Sequence, residues 1–93
     1  MNYLLEYKQI ADYLNWKNID NYYITPFGNY KLEEFKFETD NNWQQEFIKN
    51  MNLDFGNMCI YYAEHNIILK THDDYFKLII DYVYGNFKTY LRK

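Results

Sequence analysis

Residues 58–70 read Met58-Cys59-Ile60-Tyr61-Tyr62-Ala63-Glu64-His65-Asn66-Ile67-Ile68-Leu69-Lys70, and the class of fold turns on how that stretch divides. Residues 58–63 and 67–70 are rich in β-branched, aromatic and aliphatic side chains, and Glu64, His65 and Asn66 separate them. Two apolar runs joined by a short polar link predict a β-hairpin. Tyr61 and Tyr62 would then project to opposite faces of one strand, because the side-chain period of a strand is two. At least one of the pair would face away from the helices.

Outward from that hairpin, the chain alternates between the two periods. Residues 34–38 place Phe35 and Phe37 on one side and Glu34, Lys36 and Glu38 on the other, the pattern of a half-buried strand. Residues 22–25 read as a short strand, and Pro26, Gly28 and Asn29 as the turn after it. A helix follows residue 40: Thr39, Asp40 and Asn41 are its candidate caps, and Trp43, Phe47, Ile48 and Met51 its apolar stripe. Asp54, Gly56 and Asn57 signal another turn. Residues 3–15 carry Leu4, Tyr7, Ile10, Ala11 and Leu14 at helical spacing, and Asn15, Asn18, Asp20 and Asn21 break that period. From Asp73 or Asp74 to about Leu91 a last helix keeps Phe76, Ile79, Ile80, Val83 and Phe87 in phase. Acids stand at its start and Lys88, Arg92 and Lys93 at its end, as the helix dipole favours. Gly85 inside it costs on the order of 1 kcal/mol and suggests a kink or close contact. The expected fold is therefore α+β, a single domain in the order α-β-β-α-β-β-α. About four antiparallel strands carry three helices on one face.

At 93 residues the chain supports one core, since two halves would each fall near the lower limit for independent folding. It has 13 acids, 10 bases and a formal charge of −3. Twelve tyrosines dominate an aromatic content of 23%. Much of that excess reflects base composition. Residues with A/T-rich codons (Phe, Tyr, Met, Ile, Asn, Lys) number 52, against 7 for Gly, Ala, Arg and Pro. There is one Cys and no Ser, which argues against a disulfide framework, a Cys-rich zinc module and a serine nucleophile. No apolar run approaches the ~20 residues of a membrane span. The first ten residues carry Glu6 and Lys8 and lack the features of a signal peptide. With a lone Cys59 the expected location is the cytoplasm.

The chemistry of the side chains points away from catalysis. Cys59, His65, His72 and the Asp73–Asp74 pair are the nearest approach to a metal set, but no two Cys or His residues lie within the close spacing that zinc sites use. Cys59 reads as a small core residue. Phosphate loops, nucleophile elbows and dinucleotide fingerprints are missing. No enzyme activity, cofactor or metal is expected. The tail offers Lys88, Tyr90, Arg92 and Lys93 as a basic, aromatic RNA-binding surface. A sequence pI near 5.2 and a single Arg argue against direct nucleic-acid binding. Protein recognition remains, for which Tyr and Asn are suited as rigid amphipathic rings and adaptable amides. Tyr22, Tyr23 and Tyr30 around the Pro26 turn, Tyr61 and Tyr62, and the acids Glu34 and Glu38 are the candidate contacts.

Two segments carry a family resemblance. Tyr22-Tyr23-Ile24-Thr25-Pro26-Phe27-Gly28-Asn29-Tyr30 and Phe35-Lys36-Phe37-Glu38-Thr39-Asp40-Asn41-Asn42-Trp43 resemble small phage proteins of Bacteroidota. In these an extended segment with a Pro turn leads to F-x-F/Y-x-[ST]-D-x-x-W at a helix start, and an aromatic helix closes the chain. The resemblance spans residues 10–90. It implies a phage-encoded anti-defence protein, specifically an anti-CRISPR that binds the type VI-B RNA-guided ribonuclease effector, with or without its guide RNA, near the basic guide-RNA site. It transfers no functional residues, and Trp43 and Asp40 read as a core anchor and a helix cap. The acidic balance and the scarcity of catalytic groups agree with inhibition by binding inside the bacterial host cell.

Overall fold

The computed structural model describes residues 3–85. Helix α1 (Leu4–Tyr13) leads into a three-stranded antiparallel meander, β1 (Lys17–Ile19), β2 (Tyr22–Thr25) and β3 (Gly28–Tyr30). A 3₁₀ turn (Leu32–Glu34) precedes α2 (Asn41–Met51), α3 (Leu53–Glu64) and α4 (His72–Val83). The mixed α+β class and the antiparallel sheet stand. Among the described residues, however, there are three strands and four helices, and all strands lie in the first third of the chain.

The largest correction falls on residues 58–70. Residues 58–63 lie within α3, and residues 67–70 have no regular structure. The apolar residues that matter there keep a helical spacing: Phe55 is half-buried, and Met58 and Tyr62 are buried. Burial of that stripe outweighs the β-propensity of the run. Tyr61 and Tyr62 are thus neighbours on a helix, with ring centroids 5.8 Å apart, and not on opposite faces of a strand. Residues 34–38 are corrected too. Phe35 and Phe37 are buried, as alternation requires, but they belong to a 3₁₀ exit and a turn and pair with no strand.

Local chemistry explains the elements the sequence concealed. Ile19 pairs with Tyr22, so Asp20 and Asn21 form a two-residue hairpin loop, both at positive φ (50° and 70°). That is the type I′ geometry matched to strand twist. Thr25 pairs with Gly28 across Pro26 and Phe27. There the Thr25 hydroxyl accepts the Phe27 amide at 3.0 Å and donates to the Gly28 carbonyl at 2.8 Å. Pro26 is therefore the turn, whereas Gly28 and Asn29 already belong to β3. Helices α1 and α3 end in Schellman motifs with Asn15 (φ 59°) and Asn66 (φ 59°) in the left-handed position. In α3 the Ile67 amide reaches the Tyr62 carbonyl at 2.8 Å and the Asn66 amide that of Ala63 at 3.1 Å.

Asp40 caps α2, accepting the Asn42 amide at 2.8 Å. Thr71 and Asp74 form a reciprocal capping box on α4. The amides of Lys70 and Thr71 that donate to Asp74 hold its carboxyl below the usual range. Among the described residues helix α4 runs to Val83, and Gly85 stands just beyond it at φ 75° with open space around its Cα. The expected continuation to Leu91 lies outside the described residues.

The core is aromatic. Trp43 on α2 meets Phe27 stacked at 5.0 Å, Tyr30 edge-on at 5.1 Å, and Phe35, Phe37 and Trp16 within 5.7 Å. The inner face of the meander is thereby fixed to the helices through rings in tilted and edge-to-face contact. Gln44, 1% exposed, sits beneath. Its Nε2 donates to the carbonyls of Phe37 (2.7 Å) and His72 (2.8 Å), tying the segment before α2 to the start of α4. Gln44→Leu keeps the volume but strands both carbonyls. A loss of about 2 kcal/mol or more is expected in urea unfolding, and a shift under about 0.5 kcal/mol would show that water takes over the bridge.

Candidate docking surface on the meander

Strand β2 has a strict inside–outside pattern: Tyr23 and Thr25 are buried, Tyr22 and Ile24 exposed. The antiparallel register fixes what shares the outer face, because cross-strand partners point the same way. Tyr22 is opposite Ile19, and Ile24 lies between Lys17 on β1 and Asn29 on β3. Ile19 is 53% exposed, Ile24 46% and Tyr22 42%. The Lys31 ammonium lies 5.3 Å from the centroid of the Tyr22 ring, a cation–π contact that holds the ring over the sheet. The result is an apolar centre of two isoleucines and a tyrosine, with Lys17, Asn29 and Lys31 around it. An open groove of about 260 Å³ lined by Asn18, Asn21, Tyr23, Lys31, Leu32 and Glu33 lies toward the other side of the sheet, since Asn18 pairs with the inward-facing Tyr23.

The residues expected from sequence to contact a partner are dispersed. Tyr22 belongs to this surface. Tyr23 is 4% exposed and packs edge-on against Phe35 at 5.5 Å, so it is a core residue. Tyr30 is half-buried against Trp43, with the Lys36 ammonium 5.7 Å from its ring centroid. Tyr62 is buried, and its hydroxyl donates to Asp81 at 2.9 Å. Tyr61, half-buried on α3, lies 4.2 Å from the His65 ring. Glu34 closes the 3₁₀ turn by accepting the Lys31 amide at 2.8 Å, and Glu38 accepts the Tyr7 hydroxyl. Both acids have internal structural work. Ile19 went unrecognised because β1 is exposed on both faces and has no alternation to read, whereas Ile24 lies on the expected strand 22–25 in phase with Tyr22 and was legible as its neighbour. The hairpin signal at Asp20–Asn21 would have placed Ile19. Lys88, Tyr90, Arg92 and Lys93, the expected RNA-contacting residues, lie outside the described residues.

The chemistry elsewhere is sparse. Among the described residues no group of three or more His, Cys, Asp or Glu side chains is placed to share a metal ion, and no helix is long and apolar enough to cross a membrane. Burial pushes the Cys59 thiol pKa up, the opposite of what a thiolate nucleophile needs. All 13 acids lie before residue 85, whereas three of the ten bases (Lys88, Arg92 and Lys93) come after it. The described body is therefore more acidic than the whole chain. The chain matches no protein-family profile, no curated protein and no solved structure.

Proposed function

We propose that this protein acts by binding another protein through the outer face of its meander, and that it is an inhibitor and not an enzyme. The exposed Ile19–Tyr22–Ile24 cluster on a sheet whose other face is anchored in the core carries this reading. Apolar side chains on a rigid sheet, rimmed by amides and charges, have the anatomy of a protein interface. The resemblance to Bacteroidota phage proteins supplies the class of target, an RNA-guided ribonuclease effector of type VI-B in a bacterial cytoplasm. The net negative body draws the protein toward a basic region in a salt-sensitive way. Lys17 and Lys31 at the rim of the face call for acidic or carbonyl groups on the partner where it docks.

Co-elution of the purified protein with such an effector, with and without guide RNA, tests the target, and failure to co-elute in either state removes it. Tyr22→Ala with Ile24→Asp tests the surface. Loss of two central contacts is expected to weaken binding roughly 100-fold. Ile60→Asp, on an exposed position of α3, should leave binding unchanged. Full affinity in the double variant would show that a different face is used.

A further inference from the structure

The joint between α2 and α3 is a single residue, Asn52, at φ 55° and ψ −127°. The positive φ alone is within the reach of Asn, but this ψ lies outside the left-handed helical well. It belongs to the first central position of a type II′ turn, where glycine dominates. The Asn52 side chain gives α3 no cap and reaches only the Asn50 carbonyl, at 3.5 Å. The turn-like residues beyond Asn52, which are Asp54, Gly56 and Asn57, all lie within α3 and make no bend of their own.

The apolar period also ignores the joint. Phe47, Ile48, Met51, Phe55, Met58 and Tyr62 follow one another at helical spacing straight through it, as they would on a single amphipathic helix. Beyond the joint, α3 and α4 are bound to each other by their own hydrogen bonds. Tyr62 donates to Asp81 at 2.9 Å, and Tyr82 donates to Asp54 at 2.6 Å. The pair meets the rest of the chain through α4 on α1 and α2, and through α3 on α2 across the joint. Phe76 meets Tyr3 edge-on at 4.9 Å, Tyr82 meets Tyr13 edge-on at 5.5 Å, and the His72 carbonyl accepts from Gln44.

We propose that two copies of this chain pair by exchanging the α3–α4 unit about Asn52, with α2 and α3 straightening into one helix from Asn41 to Glu64. Such a helix is about 36 Å long at 1.5 Å per residue. Every α4 contact named above re-forms with the other copy's α1 and α2. The strained residue relaxes into the helical region. At the break the Asn50 carbonyl accepts from the Tyr13 hydroxyl and the Asn52 side chain, and the Phe55 amide donates to the Asn52 carbonyl. In one continuous helix the last carbonyls of α2 and the first amides of α3 pair with one another instead. A short, strained hinge is the condition that favours exchange. This inference is independent of the meander surface, which the exchange leaves exposed in both copies.

Refolding from denaturant at high protein concentration, followed by light scattering on a sizing column, tests it. The dimer fraction is expected to rise roughly tenfold in Asn52→Ala, which cannot hold the bent joint cheaply, and to fall by a similar factor in Asn52→Gly, which can. In the dimer the amides of Leu53 and Asp54 should be protected from hydrogen exchange, and return to monomer should need unfolding. A strictly monomeric Asn52→Ala protein overturns the proposal, as does a dimer whose amount is indifferent to residue 52 or whose junction amides stay unprotected. If the alanine variant does not fold, the native chain and Asn52→Gly decide. A dimer from the first that the second suppresses supports exchange, and equal amounts from both refute it.

Discussion

Trp43→Ala is expected to remove a large share of the stability of this protein, about 3–5 kcal/mol for truncating a fully packed indole. Small domains hold only about 5–15 kcal/mol in total. Trp43 is 2% exposed and touches rings from three separate segments: Trp16 before β1, Phe27 and Tyr30 on the meander, and Phe35 and Phe37 after the 3₁₀ turn. A methyl in its place leaves a cavity bounded by rigid rings, which collapse poorly. Because Phe27 and Tyr30 reach α2 through this ring, the meander should loosen first. Hydrogen exchange of the Tyr23 and Ile24 amides would then speed up more than that of α4. Chemical unfolding measures the total, and a loss below about 1 kcal/mol would mean that the sheet is held by something other than this cluster.

Alkaline pH should unfold the protein cooperatively. Tyr7, Tyr62 and Tyr82 are each 5–7% exposed, and each hydroxyl meets a carboxylate, those of Glu38, Asp81 and Asp54. Burial first, and then the hydrogen bond to an anion, pushes all three phenols well above the ordinary value of 10.0. The folded state therefore retains protons that the unfolded chain gives up. Stability from these groups is fully present below about pH 10 and is lost as pH climbs from there toward the raised folded values. Helical circular dichroism should disappear together with the growth of a late component of phenolate absorbance. The triple variant Tyr7→Phe, Tyr62→Phe, Tyr82→Phe should have a flatter alkaline limb. Complete phenolate formation with native dichroism intact would contradict the assignment.

How far these features could be read beforehand depended on whether a local signal agreed with burial. Helix α1 and strand β2 were legible from period alone, and α2 from period together with the Asp40 cap, while α4 begins at His72 under a Thr71 cap, just before the expected Asp73 or Asp74. Strands β1 and β3 were not legible, since three residues with little burial carry no pattern; the Asp20–Asn21 pair announces the first and the Pro26 turn the second. Residues 58–70 misled for the converse reason. Their β-branched and aromatic content is strong, while the helical period that decides the matter begins at Phe47 and is masked by turn-like residues at 52, 54, 56 and 57. At the docking surface Tyr22 could be named, and Ile24 follows from the alternation of the same strand, but Ile19, Lys17 and Asn29 come from the register of β1 and β3, which carry no pattern of their own. The Phe35–Phe37–Asp40–Trp43 motif proved to be core and cap, as its residue types implied.

Asn15, Asp20, Asn21, Asn52 and Asn66 all stand at positive φ in a chain with only three glycines. Each performs a task for which glycine is the usual choice, and each leaves the denatured chain less conformational freedom than glycine would. The disordered ensemble is correspondingly narrower, so less entropy is lost when the chain closes these bends. A shift in nucleotide content that drains glycine from a protein need not erode its reversals of direction. It can transfer them to asparagine, with part of the strain returned as a smaller entropic cost of folding.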